Sequence, residues 1–212
     1  MSTQLTSRGP YPKGIKRRQQ IVEAAARVFA QYGYNNGSLR QIASEVGVSA
    51  PTLVSYFGQK EALLIAVWDY WSEQSAVLSA GYSGLAYFEW LPRLMEYHTA
   101  HRGFIELFLT LATEASDPGH PARDFMVNRY EKAVEEMSGH LREALAKGEV
   151  LPLSDSEIES EVRGVIALLD GDEIQWLLNP EIDLVRLVST HLNVVLARWT
   201  GQPERSSPPA AR

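Results

Sequence analysis

Residues 38–57 read SLRQIASEVGVSAPTLVSYF, and this stretch decides the fold. Ser38 stands as an N-cap before Leu39, Ile42, Ala43 and Val46, whose spacing predicts a short amphipathic helix. Gly47 follows at the point where the chain must turn, and only glycine takes a left-handed conformation without steric cost. Ser49 then caps a second short helix with Pro51 in its first turn, where the missing amide proton is not needed. Leu53 and Phe57, four residues apart, form the inward pair of that helix, and Gly58 ends it. Two short helices joined at a glycine turn have the layout of a helix-turn-helix. In such a unit the second helix enters the major groove of double-stranded DNA.

Working outward, Ile21, Val22, Ala25, Val28, Phe29 and Tyr32 recur at helical spacing and predict a first helix from about 13 to 32, with Gly33 at its C-terminal cap. After the unit, Leu63, Leu64, Val67, Trp68, Trp71 and Leu78 mark a helix over 59–79. Residues 80–88 read as a loop. Further helices are expected over 89–101, 103–116, 122–147, 155–178 and 181–200, separated by Asp117-Pro118-Gly119, Gly148 and Asn179-Pro180. No alternating apolar run supports a strand, so the fold class is all-α. The expected organisation is an arm over 1–12, a DNA-binding domain over 13–58, a larger helical body over 59–200, and a Pro/Ser-rich disordered tail over 201–212.

Charge separates the two parts. Residues 1–60 carry eight Lys/Arg against two Asp/Glu, whereas residues 61–212 carry twelve against twenty-four. A basic head on an acidic body fits a head that meets a polyanion. There is no cysteine, which removes disulfides and thiolate metal sites. No apolar run is long enough for a membrane span, and the N-terminus has no secretory apolar stretch, so a soluble cytoplasmic protein is expected. Phosphate loops, nucleophile elbows and zinc-protease helices are missing from the sequence, so no enzyme is expected, nor a cofactor. His98 and His101, with Glu114 or His120, are the sole metal-ligand candidates, and nothing in the sequence fixes them together; no metal site is assigned.

The block GVSAPTLVSYFGQKEALL at 47–64 resembles the DNA-binding domain of the tetracycline-repressor family, and the likeness runs over 13–64. The stretches FLTLATEASDPGHPARDF (108–125) and LLDGDEIQWLLNP (168–180) resemble the C-terminal domains of that family's choline- and betaine-responsive branch. Asp172 departs from the apolar residue expected after Asp-Gly there. The resemblance implies a ligand-responsive repressor acting as a homodimer on a palindromic operator, released by a small-molecule effector, with no membrane partner.

Helical geometry turns Pro51, Thr52 and Ser55 outward on the second short helix, with Tyr56 at the flank; Pro51 and the Thr52 methyl suit thymine methyls. Arg40 and Gln41 lie in the first turn of the preceding helix, and Arg40 is the candidate for guanine or phosphate. Lys16, Arg17 and the capping Ser49 complete the expected DNA surface, and by resemblance Tyr56 and Lys60 are phosphate contacts. By resemblance also, an effector pocket is expected among Trp68, Trp71, Trp90, Tyr97, Phe104, Phe108, Phe125, Tyr130 and Trp176. The last two helices present apolar faces, and Val162, Ile166, Leu169, Leu184, Val188, His191 and Val195 are the expected dimer interface; the competing reading spends those faces on the internal core.

Overall fold

A computed structural model describes residues 12–203, and the expected arm (1–12, apart from Pro12) and most of the tail (204–212) lie outside the described residues. Among the described residues there are nine α-helices and no strand. They are α1 (Pro12–Asn36), α2 (Leu39–Val46), α3 (Ala50–Phe57), α4 (Lys60–Ser79), α5 (Leu85–Ala100), α6 (Arg102–Glu114), α7 (Arg123–Ala146), α8 (Asp155–Leu178) and α9 (Leu184–Thr200). The chain divides into two compact units, one ending at Ser72 and the other beginning at Glu73. The division thus falls inside α4, not at 58 as the sequence suggested.

In the first unit α2 packs against both α1 and α3. Its core holds Ile21, Val22, Ala25, Val28 and Phe29 of α1, Ile42 and Ala43 of α2, and Leu53 and Phe57 of α3, all buried. Tyr32, expected on the buried stripe, is 44% exposed. The cause is Gly33, whose φ of 74° and ψ of 165° break the helix and shift its phase. Tyr34 comes inward instead and packs on Phe29, with ring centroids 5.8 Å apart. The α2 start carries a reciprocal capping box: Gln41 N–H donates to Ser38 Oγ at 3.2 Å, and Ser38 N–H donates to Gln41 Oε1 at 2.8 Å. Gly47 sits at φ 70°, ψ 40°, and there the Val48 N–H returns to the Ala43 carbonyl at 2.9 Å. This left-handed cap sets the angle between α2 and α3.

In the second unit α9 lies against α5 and α8, α7 against α8 and α5, and α6 against α8 and α5. Phe88, Leu91 and Met95 of α5, Leu141 of α7, Ile158, Val162 and Val165 of α8, and Leu184, Val188, Leu192 and Trp199 of α9 form one buried cluster. Helix α5 starts at Leu85, four residues earlier than the sequence suggested. Its first amide, Leu85 N–H, donates to the Glu149 carboxylate at 3.0 Å. A cap from that distant carboxylate leaves no local signature. Tyr87 and Phe88, expected in a loop, are therefore core residues. Helix α9 begins at Leu184 because Asp183 caps it, accepting from Arg186 N–H at 3.0 Å.

Candidate DNA-reading surface and effector core

The DNA-reading candidate is α3. Ser49 Oγ accepts from Thr52 N–H at 3.2 Å and also shares a hydroxyl contact of 2.7 Å with Thr52 Oγ1. Thr52 is half-buried, so its side chain is turned along the helix start and not squarely outward. Ser55 Oγ donates to the Thr52 carbonyl at 2.6 Å. The fully outward side chains are Pro51, Val54 and Ser55, with Tyr56 beside them. Val54 was not singled out from the sequence, yet it is 45% exposed. The signal was available: residues 51, 54 and 55 lie within one face at 100° per residue.

The cations around α3 differ in their freedom. Lys16 and Arg40 are exposed and make no salt bridge among the described residues. Arg17 is half-buried and donates to the Val46 carbonyl at 3.4 Å, which ties α1 to the end of α2. Arg18 lies over the Phe57 ring at 4.8 Å. Lys60 Nζ lies 4.6 Å from the Tyr34 ring centroid and 5.7 Å from that of Phe29. Glu45, considered above all as a counter-charge to DNA-facing cations, is bridged to Arg27 at 2.6 Å. Gln41 is engaged through its Oε1 in the capping box, which leaves its amide hydrogens as donors.

In the second unit, α8 carries three acidic side chains inward, each to a different helix. Asp170 Oδ2 accepts from Tyr130 Oη of α7 at 2.7 Å. Asp172 Oδ2 lies 2.8 Å from His191 Nδ1 of α9. Glu173 Oε1 lies 2.5 Å from His98 Nδ1 of α5. Asp172 and Glu173 are each only 3% exposed. This accounts for the polar residue at 172: it is held by His191. Burial, against the hydrogen bond from Tyr130, pushes the Asp170 carboxyl up to about 6, and the Glu173 charge adds to the rise while Arg129 opposes it. Burial likewise lowers Arg129 and raises the Tyr130 phenol, with Asp170 contributing to the latter.

The expected pocket aromatics do not form one group. Trp68 and Trp71 belong to the first unit, and Trp71 is buried. Trp90 is a core residue stacked on Tyr82 at 5.8 Å, and Trp176 is buried in the same cluster beneath the Arg102 guanidinium at 5.1 Å. Phe108 and Tyr130 meet at 5.9 Å, next to Asp170. Tyr97 lies against His101 at 4.3 Å and near His98 at 6.5 Å. Phe104 is buried and Phe125 half-buried. His101 Nδ1 faces the Tyr97 carbonyl at 2.8 Å and His98 is held by Glu173, so the two histidines of the conceivable metal set have separate partners. His120 approaches Glu114 at 3.8 Å.

Three of the expected interface residues need correction. Val162 and Val188 are fully enclosed, and Leu184 is 1% exposed, within the single chain. Helices α5 and α8 cover that face of α9, so the competing reading holds for these positions. Ile166, Leu169, His191 and Val195 are half-buried. Ile174, Leu178 and Val194 of the same two helices are exposed, Leu178 at 82%.

Comparison with known proteins follows this division of the chain. Residues 21–67 match the family model for bacterial regulatory proteins of the tetR family. That segment is a tetR-type DNA-binding domain. The HTH-type transcriptional regulator YuxN of Bacillus subtilis is 33% identical over 100 residues, spanning 44% of this chain and 34% of YuxN. The HTH-type transcriptional repressor AcnR of Corynebacterium efficiens is 36% identical over 55 residues, 26% of this chain and 29% of AcnR. The chain therefore spans about a third of the length of the curated relatives it matches.

The whole fold has counterparts among crystal structures. A tetR-family transcriptional regulator from Cytophaga hutchinsonii superposes with a TM-score of 0.75 at 20% identity, over 92% of this chain and all of that one. A Saccharomonospora viridis protein crystallised with choline gives 0.66 at 24% identity, over 85% of this chain and 95% of that one. Bacillus subtilis FadR, crystallised with stearoyl-CoA, gives 0.65 at 21% identity, over 85% and 98%. At these identities the likeness establishes the fold alone. No helix among the described residues is long and apolar enough to cross a membrane.

Proposed function

We propose that this chain is a small-molecule-responsive transcriptional repressor that binds a palindromic operator as a homodimer in the cytoplasm. The observation that carries the reading is the α2–Gly47–α3 unit: a capped recognition helix with an outward face, flanked by the exposed cations Lys16 and Arg40. A helix of this kind reads one half-site, and a two-fold partner supplies the second. Ile174, Leu178 and Val194, with Ile166, Leu169, His191 and Val195 behind them, are the partner-facing side chains in this reading.

The effector site in this reading is built in the second unit around the Tyr130–Asp170 and Glu173–His98 pairs, with Tyr97, Phe104, Phe108 and Phe125 as its apolar neighbours. Helix α4 starts in one unit and ends in the other, so a shift of α4 on ligand binding is the coupling step. Such coupling requires different effector affinities in the two DNA-binding states. The resemblance in 168–180 and the choline bound to the Saccharomonospora viridis protein make choline the first probe, with stearoyl-CoA as the uncharged-tail alternative.

The test is fluorescence anisotropy of the full-length chain on labelled duplexes from its own upstream region, at two salt concentrations. Tight binding that falls steeply with salt supports the reading. No binding at low salt, with ligand-dependent thermal stabilisation retained, would leave a helical small-molecule-binding protein that does not touch DNA.

A further inference from the structure

We infer that α3 reads its half-site through the C5-methyl groups of thymine, with Val54 and Pro51 as the contacting side chains. The inference rests on the DNA-binding reading above and adds to it the base class that is recognised. Pro51, Val54 and Ser55 occupy one exposed face of α3, and the face holds no Arg, Lys, Asn or Gln. Guanine offers only acceptors in the major groove and adenine offers an acceptor beside a donor, so both demand donors or bidentate amides from the protein. The face cannot supply them. Ser55 spends its only proton on the Thr52 carbonyl at 2.6 Å, and Ser49 and Thr52 turn their hydroxyls toward each other at 2.7 Å. What remains outward is an aliphatic γ-branched surface on Val54, 45% exposed, and the Pro51 ring.

The one apolar feature that a base pair shows in the major groove is the thymine methyl. Ser55 keeps its lone pairs, so it can still accept from adenine N6 or cytosine N4 beside that methyl. The occupant of this apolar patch is a duplex and not a protein because of its surroundings. The first 60 residues carry a surplus of six positive charges, and Lys16 and Arg40 remain exposed around the face. Backbone attraction then supplies affinity while the methyl contacts supply register and sequence preference.

The experiment uses the full-length chain and duplexes enriched by it from a random pool. Uracil replaces thymine one position at a time, which deletes a methyl group and nothing else. Within each half-site, one or two positions should lose about fourfold in affinity, the factor that roughly 0.8 kcal/mol per buried carbon gives. Val54→Ala should bring the thymine-to-uracil ratio at one of these positions close to unity, while binding to unrelated duplexes is unchanged. Its helix content, followed by circular dichroism, should match the parent, because the side chain is exposed. Three results would overturn the inference. Uracil tolerated everywhere, together with a loss on 7-deazaguanine substitution, would assign readout to donors such as Arg40. An unaltered ratio in Val54→Ala, with altered sedimentation, would assign the patch to a protein contact. Failure of every duplex to bind, even at low salt, would instead remove the DNA-binding reading itself.

Discussion

Replacing Asp170 with Asn should remove a specific piece of the pH dependence of stability. The Asp170 carboxyl is raised from 3.8 to about 6, first by burial, with Glu173 adding and Arg129 and the Tyr130 hydrogen bond opposing. A raised carboxyl means that the folded chain holds a proton which the unfolded chain has lost. Between the two values, folded-state stability therefore falls as pH rises, at a slope of about 1.36 kcal/mol per pH unit for one proton. Over the interval from 3.8 to about 6 the loss reaches about 3 kcal/mol. It is absent below the unfolded value and complete above the folded one.

Asn preserves the shape and still accepts from Tyr130 Oη, so packing changes little. It does leave Arg129 with one counter-charge fewer, which offsets part of the gain at neutral pH. The pH profile is for that reason a cleaner readout than stability at any single pH. Urea unfolding at half-unit steps from pH 4 to pH 7.5 gives both curves, since other carboxylates titrate alike in the two proteins. The difference, variant minus parent, should grow by up to about 3 kcal/mol across the window and then stay level. Parallel curves would show that Asp170 is not the buried, proton-holding group described here.

Other substitutions address the remaining claims. Ser38→Ala removes the capping box at α2 and should cost about 1 kcal/mol in urea unfolding, with no change in α3 side-chain exposure. Lys60→Ala should weaken binding about equally on all duplexes and reduce the salt slope by roughly one; an unchanged slope would confine Lys60 to its packing on Tyr34. Leu178→Glu should leave the chain folded, because that side chain is 82% exposed, yet sediment as a monomer if α8 and α9 form the dimer face. The same charge at Val188, which is fully enclosed, should unfold the second unit instead.

Sequence patterns exposed those parts of the fold whose causes are local. The α2–α3 unit could be read because Ser38, Gly47 and Ser49 act within four residues of themselves. The end of α1 was displaced by a single residue class, Gly33, which exchanges Tyr34 for Tyr32 in the core. Where the cause is distant, the pattern is silent. Nothing near Leu85 announces that Glu149 will cap it. Apolar periodicity likewise shows that Val162, Leu184 and Val188 must be covered, but not whether a neighbouring helix or a second chain covers them. Val54 was passed over because an apolar residue beside Leu53 reads as core until the exposure of its face is known.

The buried acids of α8 deepen that point. Apolar contacts alone specify a helix register poorly, since a slip along an aliphatic seam exchanges one methyl contact for another. Asp170, Asp172 and Glu173 remove that freedom because each finds its partner on a different helix: Tyr130 on α7, His191 on α9 and His98 on α5. A rotation of α8 by one residue would leave buried carboxylates without donors, a penalty of several kcal/mol per charge. Replacing them with well-packed leucines could raise net stability and would lose this discrimination. The exposed side chains of α8, Ile174 and Leu178, project from the same helix as the three pinned acids. Fixing the rotation of α8 therefore also fixes which apolar side chains it offers outward, and any change at Asp170, Asp172 or Glu173 acts on that outer face through the orientation of the helix.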